Sequence, residues 1–331
     1  MKKIYFAGNM IVDSLKTVES LPKKGILAKI LSEQSSVGGS ACNTAIDLKV
    51  IDPSIDIKVF GRIGDDDKGR FILSVFEKYN INTENVLIDS LNNTSYTDVI
   101  TEADGARTFF QYGGANDNLC VEDFDLKNID CDIFHIGYLL LLNSLDKEDP
   151  IYGTKMAELL SKVQSKGIKT SIDVVSDSGN RYKKVITPAL KYCDYVIINE
   201  IEISNISGLD ARNKNGDLII ENIKQSIDEL FKCGVKDTVI VHCPELAIIK
   251  RAGRNFTTVK SFKVNKEKVA STVGAGDAFL AGALYGLSHG YDDQMVLKIG
   301  HGSAINNLYS QSSIDGAKPI DEIIKIIRSE E

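Results

Sequence analysis

The sequence predicts an α/β fold of three layers, α/β/α, in which a mostly parallel central sheet carries helices on both faces and a small β-lid. Three observations predict it. Short β-branched or aromatic runs alternate with helical patterns along most of the 331 residues, the order that builds parallel strands joined by right-handed helical crossovers. The strand-like runs are continuously apolar, as in strands buried on both faces of a sheet. Two segments, about 10–36 and 94–113, break that rhythm with short alternating stretches. A chain of this length forms one large core with a small appendage, so residues 1–331 are read as one domain with a discontinuous lid.

The elements follow in chain order. IYFAG (4–8) is the first buried strand, and the first alternating segment follows it. IKVFG (57–61) is the next buried strand, and KGRFILSVFEKYN (68–80) is a helix. In TSYTDVITEADGARTFFQY (94–112) the turn ADGA separates two strand-like runs, an antiparallel hairpin pattern. Such a hairpin is either an edge extension of the main sheet or a lid over the C-terminal edge of the parallel strands, where open α/β folds bind ligands. CDIFHIG (131–137), KTSIDVV (169–175), CDYVIIN (193–199) and DTVIVHC (237–243) are further buried strands. GTKMAELLSKVQSKG (153–167) and NIKQSIDELFKCG (222–234) are helices that stop at Gly, which relieves the left-handed backbone of a helix end.

Apolar residues make up 43% and charged residues 26%, with a net charge of −7 and no basic run. That balance excludes the electrostatic footprint of a nucleic-acid or membrane-surface binder. An anionic ligand must then be held locally, by backbone dipoles and a metal. The six cysteines (Cys42, Cys120, Cys131, Cys193, Cys233, Cys243) form no C-x-x-C pair and read as reduced thiols of a cytoplasmic protein. Asn9 and Asp13 interrupt the first apolar stretch too early for a signal peptide.

Two glycine-rich motifs are excluded. GDDDKGRF (64–71) has Arg70 and Phe71 where a phosphate-binding P-loop needs Lys and Ser/Thr. A dinucleotide fingerprint fails because Phe279 replaces its third glycine. What remains is STVGAGDAFLAGALYGL (271–287). Gly274 and Gly276 allow consecutive N–H groups to converge on one point, and the buried helix that follows aims its positive end there. Asp277 is read two ways: as a helix N-cap, or as a general base beside a turn that stabilises developing negative charge. His135 and His289 lack a ligand cluster and read as structural, and Arg107 reads as an exposed or cross-strand residue of the lid, the alternative being a contact to substrate.

The chain resembles the PfkB, or ribokinase-like, family of carbohydrate kinases, and six pieces in sequence order carry the resemblance. They are Asp13 after the first strand, VGGSACNTAIDL (37–48), GRIGDDDKG (61–69), GARTFFQYGGAN (105–116), the N-x-x-E motif Asn199 to Glu202, and GAGD before the apolar helix. The resemblance implies ATP-dependent phosphorylation of a sugar hydroxymethyl group with magnesium present. It implies Asp277 as the base and the Gly274, Ala275 and Gly276 amides as the anion hole. Asp13, Gly38, Gly39 and Asn43 would bind sugar hydroxyls, Asn43 alternatively being a turn residue. Asn199 and Thr272, with Gly274 and Gly276, would bind the nucleotide, and Glu202 would organise hydrated magnesium, the alternative being a solvated helix start.

Three departures from the family pattern stand out. Ser271–Thr272 replaces Asp-Thr, which weighs against activation by a monovalent cation. His242 to Ala247 replaces Thr-x-Gly-x-x-Gly, so contacts to ATP must differ there. VVSDSGNR follows Asp173 in place of a Pro-Asn pair. Ser40 stands where several sugar-phosphate kinases have Lys, which gives no support for a phosphorylated acceptor. The G-G-S form also occurs in nucleoside kinases of the family, which makes a nucleoside the alternative acceptor, with Phe109, Phe110 or Tyr112 as a slot for its base. A sugar-binding sensor without activity is the non-enzymatic alternative. The apolar TFFQY strand hints at a homodimer through the lid.

Overall fold

The protein is described by a computed structural model covering residues 1–176 and 181–330. Residues 177–180 of the VVSDSGNR stretch lie outside it. Strands β1 (Lys3–Gly8), β4 (Asp56–Gly64), β5 (Asn82–Asp89), β8 (Ile133–Leu139), β11 (Lys169–Val174), β12 (Tyr195–Asn199), β13 (Thr238–His242), β14 (Leu246–Arg251) and β15 (Thr257–Lys260) form one sheet of nine strands. Its order is β15-β14-β13-β12-β11-β8-β1-β4-β5. The strands from β5 to β13 are parallel, β14 pairs antiparallel with β13, and β15 pairs antiparallel with β14. All six sequence-predicted strands belong to the parallel part.

Helices cover both faces, and the core is correspondingly double. On one face α3 (Lys155–Gln164), α4 (Tyr182–Leu190), α5 (Glu200–Ser207) and α6 (Ile220–Lys232) bury Leu160, Ile186, Ile203 and Ile227. On the other, α1 (Ser40–Ile51), α2 (Asp67–Lys78), α7 (Ala275–Ser288), α8 (Asp293–Leu308) and α9 (Ile320–Ser329) bury Ile46, Phe76, Leu284, Ile299 and Ile323. Helix α7 is made of small and apolar residues because it is enclosed: a Cβ on Gly282 would lie 2.8 Å from the Ile299 carbonyl of α8.

The two segments that break the strand–helix rhythm form a second sheet rather than an edge of the first. It contains β2 (Ile11–Val18), β3 (Ile30–Gly38), β6 (Tyr96–Thr101) and β7 (Arg107–Tyr112), in the order β3-β2-β6-β7. The predicted hairpin is its antiparallel pair β6–β7. A further two-stranded ladder pairs β9 (Glu148–Asp149) with β10 (Gly153–Thr154).

Connectivity places the functional edge. From β1 the chain passes to β4 and β5 on one side, then returns beyond β1 to β8 and continues away through β11, β12 and β13. The direction of winding therefore reverses between β1 and β8, and open α/β sheets bind ligands at such a switch point, outside the carboxyl ends of the strands. The backbones crowd there: a Cβ on Gly8 would lie 2.6 Å from the Gly137 carbonyl.

One core residue opposes stability. Asp47, on the buried face of α1, is 1% exposed, and neither carboxylate oxygen has a protein partner among the described residues. Burial, reinforced by the Asp277 carboxylate, raises its pKa well above the usual carboxylate value. A raised folded-state pKa gives stability that is complete below the unfolded pKa and is lost as pH rises. Asp47→Asn removes that dependence, so its advantage should be small near pH 4 and grow toward pH 8. There it should reach about 1–3 kcal/mol, the cost of leaving a buried polar group unpaired. Thermal unfolding of both proteins at the two pH values checks this; an equal difference at both would show that the fold does not raise the pKa of Asp47.

Candidate active site

Four elements converge at the switch point. Gly39, the residue before α1, has φ +88, and a Cβ there would lie 2.4 Å from the Asn9 carbonyl, so only glycine fits. Gly38 is required for a different reason: a Cβ would overlap the Asp13 carboxylate at 2.2 Å. The paired glycines thus let the start of α1 close against β1 and β2. This closure brings Asn43, on the first turns of α1, to Asp277 on α7.

Asp277 is the third residue of α7 and is 4% exposed. It is not the N-cap. Gly274 caps the helix with φ +79, and no side-chain capping bond is made. Instead the carboxylate faces inward, where Asn43 Nδ2 donates to Oδ2 at 2.8 Å and the Tyr138 hydroxyl donates to the same oxygen at 2.9 Å. Burial, then the nearby Asp173 carboxylate, raise its pKa to about 7, against the lowering effect of those two donors. A carboxyl poised near neutrality is suited to taking a proton.

The turn beside it is held from below. Ser313 packs under Gly274 closely enough that a Cβ on the glycine would lie 2.7 Å from its backbone. The Ser313 hydroxyl also donates to Asn43 Oδ1 at 2.9 Å. Asn43 is therefore engaged at both ends, by Asp277 and by Ser313, and its expected role toward a sugar is joined by one in holding the base. The first N–H groups of a helix lack intrahelical partners and attract anions; of these, the Ala275 N–H makes a long bond of 3.4 Å to the Thr272 carbonyl.

Two cavities meet at Asp277. The larger, about 660 Å³, is lined by Asp13, Gly39, Asn43 and Asp277 and roofed by inward residues of the second sheet, among them Leu15, Thr97, Arg107 and Phe109. Burial raises the Asp13 pKa to about 6, partly offset by its bond with Thr97. The smaller cavity, about 460 Å³, is lined by Asn199, Glu202, His242, Gly274 and Gly276. Tyr138, Phe109, Gly274 and Asp277 line both. Thr272 is exposed and lines neither cavity.

Asn199 and Glu202 form the start of α5. The Asn199 side chain accepts from the Ile201 and Glu202 N–H groups, while Glu202 accepts from the Asn199 N–H at 2.9 Å. This is a capping box, but a buried one: Glu202 is 5% exposed and its pKa is raised to about 8, chiefly by burial. The register of β12 against β13 sets Asn199 opposite His242. The imidazole stacks on Phe279 of α7 at 4.6 Å between ring centres, and burial holds its pKa down at about 3.

Three residues of this site, Ser313, Tyr138 and Asp173, were given no role by sequence reasoning. Ser313 carries no motif signal. Tyr138 had one, since it directly follows the HIG end of a buried parallel strand. Asp173, whose Oδ1 accepts from the Tyr138 N–H at 2.7 Å, likewise stands at a strand end. Arg107, read as an exposed or cross-strand lid residue, is exposed, and it also lines the larger cavity and donates to Ser271 Oγ at 3.4 Å. His135 is buried, with Nδ1 3.0 Å from Ser171 Oγ.

The sequence profile described as pfkB family carbohydrate kinase matches residues 1–318. A ribokinase from Dictyostelium discoideum is 26% identical over 275 residues, covering 81% of this chain and 82% of that protein. A nucleoside kinase from Methanocaldococcus jannaschii is 23% identical over 309 residues, covering 92% of this chain and 89% of that protein. In fold, the chain is similar to Arabidopsis thaliana ribokinase complexed with ribose and ATP, with a TM-score of 0.80, 20% identity and 99% of each chain covered. It is also similar to the solved M. jannaschii nucleoside kinase, with a TM-score of 0.78, 20% identity and 99% of each chain covered.

Proposed function

The chain belongs to the pfkB family of carbohydrate kinases, and from that premise we propose that it transfers the γ-phosphoryl group of ATP to a hydroxymethyl group of a sugar. The observation that carries this reading is Asp277, a buried carboxyl near neutrality standing where the two cavities meet, beside a helix N-terminus. The larger cavity takes the acceptor, and the smaller takes the nucleotide phosphates.

In the reaction so assigned, Asp277 accepts the proton of the acceptor hydroxyl as that oxygen bonds to the γ-phosphorus. The bond from phosphorus to the bridging oxygen of ADP breaks, and the proton leaves Asp277 when product departs. The amides at Gly274, Ala275 and Gly276 face the charge on the transferring group. Phosphoryl transfer asks mainly for such positioning and charge stabilisation. Asp13 holds acceptor hydroxyls, and the second sheet acts as the lid.

Magnesium fits this site only as a hydrated ion carried with the nucleotide. Among the described residues no group of three or more His, Cys, Asp or Glu side chains is arranged to hold a metal. Glu202 presents one carboxylate already engaged with Asn199 and Ser176. Magnesium keeps several waters and binds through one or two carboxylates and substrate phosphates, so Glu202 would hold it through water. When bound, the ion neutralises phosphate charge. Ser271 contributes no carboxylate beside the turn, and monovalent-cation activation is not part of this reading.

A nucleoside acceptor is the second reading, favoured by Phe109, which lines the acceptor cavity; Phe110 and Tyr112 line neither cavity. Phe110 and Ile30 are exposed on the second sheet, which supports pairing of two copies through the lid. Among the described residues no helix is long and apolar enough to cross a membrane, and we assign the protein to the cytoplasm.

ADP release from Mg-ATP, across free sugars, sugar acids and nucleosides with and without potassium, tests the assignment. One sugar should stand out, and potassium should change little. A nucleoside in its place selects the second reading, and silence across the panel overturns both.

A further inference from the structure

We propose that Tyr138 is a positioning residue for the base: its hydroxyl, together with Asn43, occupies Asp277 Oδ2, so that the acceptor proton is taken at Oδ1. This deepens the functional reading above and rests on Asp277 being the base.

The geometry is specific. Among the described residues the Asp277 carboxylate accepts two hydrogen bonds, both on Oδ2, from Asn43 at 2.8 Å and from Tyr138 at 2.9 Å. A carboxylate with two donors on one oxygen is fixed in rotation, and its free oxygen is the more basic site for an incoming hydroxyl. Tyr138 also has to be placed there. Among the described residues it is one of three non-glycine residues with positive φ, at +57, and Leu140, two residues on, is another at +85. Left-handed backbone is costly for an ordinary residue and tends to persist where function requires it. Here Asp173 holds it, accepting from the Tyr138 N–H at 2.7 Å. The strained step at the end of β8 directs the ring across the switch point, between the two cavities, and into contact with α7.

The phenol acts only as a donor. Burial, and then the Asp277 carboxylate, push the Tyr138 pKa well above its ordinary value, so the hydroxyl keeps its proton while Asp277 gains and loses one. The other groups facing Asp277 are acids or neutral. Asp173 and Asp13 raise its pKa, Asp47 and Cys42 lie close enough on α1 to feel its charge, and His242 beside Gly276 is held neutral by burial. The two donors are thus what counters burial and like charge, and removing one should make the base a weaker acid.

Tyr138→Phe keeps the ring and removes the hydroxyl. The γ-carboxyl of Asp277 is followed by carbon-13 NMR in protein labelled at aspartate, with Asp277→Asn identifying its signal. The titration midpoint should rise by about one pH unit, the size expected for loss of one hydrogen bond to a charged group. The acid limb of kcat/KM should move by the same amount, with KM for ATP little changed. Tyr138→Leu, which loses the same hydroxyl on a different side chain, should move the midpoint in the same direction. An unmoved midpoint overturns the proposal, and so does a shift in one variant alone, which would assign the effect to repacking. The titration needs no turnover, so a wild-type protein silent toward every acceptor would count against the kinase reading and leave the fate of Tyr138 to the NMR.

Discussion

Asp277→Asn is expected to lower kcat by about 10²–10⁴, the range for removal of a general base, while changing acceptor affinity far less. The amide keeps the shape of the carboxyl and can still accept from Asn43 and Tyr138 through its oxygen. Only the capacity to take a proton is lost. The wild-type pH profile should carry the same signature. With the carboxyl titrating at about 7, kcat/KM should fall tenfold per pH unit below that value.

Stability should move the opposite way, and this separates chemistry from unfolding. The folded-state pKa of Asp277 lies above the ordinary carboxylate value. The carboxyl therefore contributes stability that is complete below about pH 4 and is lost as pH rises through about 7. Asn carries no such dependence. The variant should match the wild type near pH 4 and melt at a higher temperature at pH 8. A variant that is inactive yet more stable at pH 8 cannot owe its inactivity to unfolding. Near-normal turnover would remove Asp277 from the chemistry.

How far the site could be read from the sequence depends on which residues act through their neighbours along the chain. The six parallel strands and the hairpin of the second sheet were legible because continuous apolar runs and a turn between alternating runs are local signals. The Gly38–Gly39 and Gly274–Gly276 pairs were legible for the same reason. Strand order was not, because nothing in IYFAG says that β1 lies between β4 and β8. That pairing creates the switch point and brings Asn43 to Asp277 across 234 residues of chain. Ser313 supports both the turn and Asn43 from a loop whose sequence resembles any other. Asp277 itself shows the limit of a local reading: its position before an apolar helix suits a cap, yet Gly274 supplies the helix start and the acid turns inward. At Asn199 and Glu202 the local reading holds, since both side chains cap α5, but the cap is buried at the edge of a cavity rather than solvated.

Gly274→Ala and Gly276→Ala should separate the two glycines of the turn. At Gly274 the φ of +79 is costly for alanine, on the order of 1–2 kcal/mol, and the added Cβ would lie 2.7 Å from the Cα, Cβ and carbonyl oxygen of Ser313. Two of those contacts are backbone, so no rotamer change relieves them. The turn must shift, and the amides move away from the transferring phosphoryl group. Loss of one well-aimed donor to a developing anion costs about 10²–10³ in rate, and a similar fall in kcat is expected here. At Gly276 the nearest atom to an added Cβ is His242 Cε1 at 3.6 Å, an ordinary contact, and the residue is already helical. Its methyl would project into the smaller cavity, so KM for ATP should rise while kcat falls little. The contrast is the test: both variants carry the same added carbon two residues apart. Equal effects on kcat would mean that the conformation of the turn is not what stabilises the transferring group.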